Sequence, residues 1–217
     1  MMDLCNAQEV KGLLARHGFR VSKAKGQNFL IAAWVPQRIA EESGIDRGCG
    51  VLEVGPGIGP LTQQLCRRAG RVTAVEGDRS LAPVLQETLG EYSNLHILWQ
   101  DILKVDIPAL VQAELPGLRP MACANLPYYI TPVLTALLEA RCFSSVTVMV
   151  QKEVAQRMAA APGSGDSSAF TVFCNYYAQP ELLFDVPPSC FLPQPKVTSS
   201  VVRLDIRQSP PCPVEDE

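Results

Sequence analysis

Four consecutive residues, Asn125, Leu126, Pro127 and Tyr128, close an apolar run in the segment MACANLPYY and carry the clearest chemical signature of the chain. A side-chain carboxamide and a backbone carbonyl are adjacent hydrogen-bond acceptors, the proline sets the turn, and the tyrosine offers a flat face for stacking. That set suits the holding of an aromatic amine. Such an amine is a poor nucleophile, because its lone pair is delocalised into the ring. Acceptors aimed at its N–H groups turn the lone pair toward an electrophile. The same residues also suit a strand that ends in a proline turn over a buried tyrosine.

A second motif lies upstream in VLEVGPGIGPLTQQL, where an apolar, strand-like run from Val51 to Val54 breaks into Gly55, Gly57 and Gly59 and then resumes at helical spacing. Glycines at such a junction let the backbone approach a ligand closely, and the first helical turn presents unpaired N–H groups. No Gly-Lys-Ser/Thr follows, so this is not a nucleoside-triphosphate loop of the Walker kind. Two acids then end successive apolar runs. Glu76 closes RVTAVE, about twenty residues past the glycines, where a carboxylate can accept from ribose hydroxyls; Asp101 closes LHILWQD, where it can accept from an adenine amino group. Each acid alone would also serve as a helix cap or a solvated loop charge. In this order they read as a nucleotide-cofactor site.

The elements that must position these residues alternate. A basic helical region, Glu9 to His17, precedes a helix beginning near Ile31. Strands are expected over Gly50–Val54, Val72–Val75, His96–Trp99, a fourth ending at Asn125, and Val146–Val150. Helices are expected from Leu61, over Leu81–Leu89 and Thr131–Ala140, and in KEVAQRMAAA. Two late segments, Pro180–Asp185 and Ser199–Ile206, are expected to pair as a hairpin, and Pro162–Phe170 reads as a loop. Strand and helix in alternation predict an α/β, doubly wound sheet.

The chain has 217 residues, of which 47% are apolar, enough for one substantial core. Its longest apolar runs are strand-sized, which predicts no membrane span, and no signal peptide is apparent, so a cytoplasmic location is expected. Eight cysteines stand singly with only two histidines beside them, which predicts reduced, buried thiols and no metal site. The net charge of -3 argues against a general polyanion binder. The first thirty residues run the other way, with Lys11, Arg16, Arg20, Lys23 and Lys25 against Asp3 and Glu9. This segment is the candidate contact for RNA phosphates.

Four stretches together resemble the rRNA adenine N6-dimethyltransferases, which use S-adenosylmethionine to modify small-subunit rRNA: GQNFL (26–30), EVGPGIG (53–59), NLPYYITPVL from Asn125, and FLPQPKVTSSVVRL (191–204). The resemblance implies a Rossmann-like class I methyltransferase fold with a mostly parallel seven-stranded sheet, an antiparallel carboxyl-terminal hairpin and helices on both faces. It implies that Gln27, Asn28, Leu30, Gly55, Gly57, Gly59, Glu76, Asp101, Ile102 and Asn125 contact the cofactor. Asn125, Leu126, Pro127 and Tyr128 would then hold the target adenine, with Phe191 stacking opposite Tyr128. The implied partner is the rRNA of an immature small ribosomal subunit, met by a monomer.

Three parts are expected: residues 1–30 as a basic segment with the first cofactor motif, 31–207 as the catalytic domain, and 208–217 as a linker toward a small helical domain that the family normally carries. Three other readings stay open: a large-subunit rRNA adenine methyltransferase of the antibiotic-resistance type, a non-catalytic assembly factor on the same fold, and a DNA adenine methyltransferase.

Overall fold

The computed structural model describes residues 4–20, 27–126, 130–209 and 211, and these described residues form eight α-helices and nine strands. Strand β1 is Phe29–Leu30, β2 Cys49–Val54, β3 Arg71–Glu76, β4 Leu95–Trp99, β5 Arg119–Asn125, β6 Ser145–Gln151, β7 Ala178–Val186, β8 Phe191–Leu192 and β9 Ser199–Ile206. The helices are α1 (Ala7–Arg16), α2 (Trp34–Glu42), α3 (Pro60–Arg68), α4 (Ala82–Leu89), α5 (Ile107–Glu114), α6 (Ile130–Glu139), α7 (Lys152–Ala159) and α8 (Ala169–Tyr177).

Seven strands form one sheet in the order β4-β3-β2-β5-β6-β9-β7, with β9 antiparallel to both of its neighbours and the other pairings parallel. Every residue of β2 is buried, as a central strand with helices on both faces requires. Alternate residues of this strand serve different cores. Leu52 and Val54 join the apolar cluster beneath α5, α6, α7 and α8, while Cys49 and Val51 join the one beneath α2 and α3. A third cluster packs Val10, Leu13 and Leu14 of α1 against Ile58, Phe29 and the α4 residues Val84, Leu85 and Leu89. The amino-terminal helix thereby roofs the glycine loop.

The late segments do pair antiparallel, β7 against β9, with a register shift between Leu182 and Phe184. Three features depart from the expectations. Helix α5 stands where only a connection was expected; Asp106 caps it by accepting from the Ala109 N–H at 3.0 Å. The loop of 162–170 gives way to α8 at Ala169, because Ser168 and Thr171 form a reciprocal capping box. The two-residue ladder of β1 with β8 was also not foreseen; it pairs Phe29 with Leu192 and Leu30 with Phe191.

Gly59 caps α3 with φ of 96°, and a Cβ built there would meet the Leu89 Cδ2 at 2.8 Å. Leu89 is itself buried and cannot swing clear. Gly59→Ala is therefore expected to cost about 2–4 kcal/mol, from left-handed strain plus overpacking. Urea unfolding measures this, and a loss under about 1 kcal/mol would show that the loop relaxes freely.

Candidate active site

The sheet order reverses beside β2: the chain steps outward from β2 to β3 and β4, then returns to lay β5 on the other side of β2. At such a switch point the carboxyl ends of neighbouring strands diverge and leave a crevice. A cavity of about 370 Å³ opens there. Glu53 and Gly55 enter it from the end of β2, Glu76 from the end of β3, Asn125 and Leu126 from the end of β5, and Met149, Val150 and Gln151 from β6. The small β1·β8 ladder borders it, supplying Phe29, Leu30 and Phe191, and Gln27, Asn28, Gly57, Asp78, Val197 and Ser199 are also part of the wall.

Of the residues singled out in the sequence, Gln27, Asn28, Leu30, Gly55, Gly57, Glu76, Asn125, Leu126 and Phe191 thus line one cavity. Gly59 does not; it is turned into the α3–α4 contact with Leu89. Asp101 and Ile102 stand outside the wall as well. Asp101 is exposed just past β4 and caps the following turn, accepting from the Leu103 N–H at 3.1 Å, while Ile102 is buried in the core beneath α5 and α6. Pro127, Tyr128, Lys23 and Lys25 lie outside the described residues.

Lys11 and Arg20 are exposed, but Arg16 is engaged: its guanidinium pairs with Glu87 of α4 at 2.5 Å, and His17 contacts the other oxygen of the same carboxylate. Both partners hold the Glu87 carboxyl below the usual range. Arg16 therefore links α1 to α4 while its side chain stays exposed. The pair is solvent-exposed, so its worth is small.

Glu76 is buried, which raises its pKa, while N–H groups of Asp78, Gly57 and Gly77 pull it back down. The Asp78 N–H donates to its Oε1 at 2.7 Å. Asp78 in turn accepts from the Gln27 carboxamide at 3.2 Å, which ties the first motif to the end of β3. The Asn125 side chain is half-buried and makes no hydrogen bond among the described residues, so its oxygen is available as an acceptor.

Glu53 was passed over in the sequence. It is 1% exposed, faces the cavity from β2, and its Oε2 has no hydrogen-bond partner among the described residues. Burial pushes its pKa up to about 8, Glu76 adds to the rise, and the facing Thr62 hydroxyl of α3 opposes it. An acid interrupting an otherwise apolar buried strand was the available signal. With Asp78, the cavity wall holds three carboxyl groups and, among the described residues, no lysine, arginine or histidine. Such a wall fits a cationic ligand with hydroxyl groups, and S-adenosylmethionine is one.

Among the described residues seven cysteines are free thiols; Cys49, Cys66, Cys123, Cys174 and Cys190 are buried, Cys5 and Cys142 only partly so, and burial pushes Cys66, Cys123 and Cys174 to about 12. No group of His, Cys, Asp or Glu among the described residues could hold a metal ion. No helix among the described residues is long and apolar enough to cross a membrane.

This fold and cavity define a Rossmann-like methyltransferase. The crystal structure of the 23S rRNA methyltransferase ErmE superposes with a TM-score of 0.74 at 31% identity, covering 86% of this chain and 72% of that one. A dimethyladenosine transferase from Plasmodium falciparum gives 0.70 at 29%, covering 83% and 63%. The ribosomal RNA adenine dimethylase family matches residues 18–217, and the chain belongs to that family of S-adenosylmethionine-dependent rRNA methyltransferases. Ribosomal RNA small subunit methyltransferase A of Alkaliphilus oremlandii is 44% identical over all of this chain and 76% of its own length.

Proposed function

We propose that this chain dimethylates the N6 amines of adjacent adenosines in small-subunit (16S) rRNA, as a step of ribosome biogenesis. The observation that carries the reading is the meeting of the Asn125–Leu126 acceptors with the carboxylate-walled cavity. An amine-holding group beside a site for a cationic methyl donor is what this reading needs, and Asn125 and Leu126 line the same cavity as Glu53, Glu76 and Asp78. Between the two rRNA branches, the 44% identity to a small-subunit relative, against 31% to ErmE, favours the small subunit.

Asn28, Leu30, Gly55 and Gly57 shape the cofactor cavity, and Glu76 accepts from its ribose hydroxyls. Asp101, at the next strand end, takes the adenine amino group, with Ile102 and Gly59 supporting the adjoining turns. S-adenosylmethionine, when bound, supplies an electrophilic methyl group. The Asn125 side-chain oxygen and the Leu126 carbonyl accept the two N6–H bonds, turning the nitrogen lone pair toward the donor. Pro127 sets that geometry, while Tyr128 and Phe191 sandwich the base after it leaves its stack. Alignment and fixed dipoles lower the barrier, and the methylated, cationic nitrogen then loses its proton to solvent. Exposed Lys11 and Arg20, with Lys23 and Lys25, contact RNA phosphates.

The test is methyl transfer from labelled S-adenosylmethionine to undermethylated small ribosomal subunits, read by nucleoside mass spectrometry. N6,N6-dimethyladenosine is expected. Methylation of naked large-subunit rRNA in its place would move the chain to the resistance-type branch, and cofactor binding without transfer to either RNA would make it an assembly factor.

A further inference from the structure

Three carboxyl groups face the cavity, and two of them already have protein partners. Glu76 is held by backbone N–H groups, and Asp78 accepts from Gln27 and from the Ser80 N–H. Glu53 is different: it is buried, and its Oε2 has no partner among the described residues. Its position is also particular. Glu53 stands opposite Cys123 in the β2–β5 register, two residues before Asn125 on that neighbouring strand. On the reading above, methyl transfer takes place to an amine held by Asn125, so the donor sulfur must lie in this part of the cavity.

Among the described residues, no group facing Glu53 carries a charge that would balance a carboxylate. Across α3 stand Thr62 and the Cys66 thiol, across β5 the Cys123 thiol, and from β3 Glu76. Both thiols are held neutral by burial, and Glu76 adds only negative charge. No lysine, arginine or histidine lines the cavity among the described residues. The positive charge that these described residues do not offer can arrive with a cationic ligand.

We propose that Glu53 is the proton-linked counter-charge of the cofactor's sulfonium: it is a neutral acid when no sulfonium is present and a carboxylate when one is bound. The proton leaves to solvent as S-adenosylmethionine enters and returns when the sulfonium becomes the uncharged sulfur of S-adenosylhomocysteine. The site thereby prefers fresh donor to spent product. Two methyl transfers to one nitrogen require that exchange between them. This rests on the cavity being the cofactor site.

Calorimetry with each cofactor, in buffers of differing ionisation enthalpy near pH 7, counts the protons released. The wild type is expected to release close to one more proton with S-adenosylmethionine than with S-adenosylhomocysteine. Its affinity ratio for the two should rise by up to about tenfold per pH unit below pH 8 and flatten above. Glu53→Gln should abolish the extra proton and lower the ratio about tenfold or more, while holding S-adenosylhomocysteine within about threefold of wild type; that last value also reports an intact site. Subtracting the variant cancels protons exchanged by the cofactor itself.

Equal proton release with both cofactors in the wild type overturns the proposal without needing the variant to fold, as does a pH-independent ratio. Failure of the wild type to bind either cofactor would instead remove the cofactor reading on which it rests.

Discussion

Asn125→Ala is expected to slow methyl transfer by about 10²–10³-fold while leaving the fold intact. The two halves of that expectation have separate physical grounds. Asn125 ends β5, where its backbone stands opposite Met149 of β6 and the next residue's N–H donates to the Met149 carbonyl at 3.1 Å. Those backbone contacts survive truncation. The side chain itself is half-buried and makes no hydrogen bond among the described residues, so removing it leaves no described group orphaned. What disappears is an acceptor that fixes the amine only when substrate is bound. Single-turnover methylation should therefore fall while the thermal melt stays within a few degrees, and a near-normal rate would discard the aligned-amine mechanism.

Glu76→Ala is the second large effect, and it should fall on binding. Charge-assisted hydrogen bonds to ribose hydroxyls are worth about 1.5–3 kcal/mol, so the cofactor should bind roughly 10–150-fold more weakly. The Asp78 N–H, which donates to Glu76 at 2.7 Å, also loses its acceptor, and the turn that carries Asp78 into the cavity loosens. Glu76→Gln keeps one acceptor oxygen for that turn and should lose less. Calorimetry with S-adenosylhomocysteine separates the cases; unchanged affinity for the alanine variant would take Glu76 out of the site.

Much of the sheet was legible because its strands and helices differ in period. β2, β3, β4 and β6 are short apolar runs ended by glycine or a polar residue, and the paired segments β7 and β9 were visible for the same reason. Helix α5 was missed because only Ile107 and Val111 of its eight residues are buried, too faint an apolar stripe to be recognised. The β1·β8 ladder was invisible because two residues from each end of the chain carry no periodicity; pairing over that separation is decided by closure of the whole fold. The ion pair of Arg16 with Glu87 of α4 was not legible either, because local charge density does not reveal a partner far along the chain.

From its residues alone, this chain's α/β class, its glycine-loop junction and its amine-holding tetrapeptide could be derived, because each is written in local spacing and side-chain chemistry. The motif wording added the family. The tertiary structure decided which of the candidates share one cavity, placing Gly55, Glu76, Asn125 and Phe191 together and leaving Gly59, Asp101 and Ile102 outside its wall. It also turned Glu53 from one more letter in a strand into a buried carboxyl group whose Oε2 has no hydrogen-bond partner among the described residues. Strand alternation aims that residue toward α3, but only the packing of α3 and β5 around it removes water and raises the cost of its charged form.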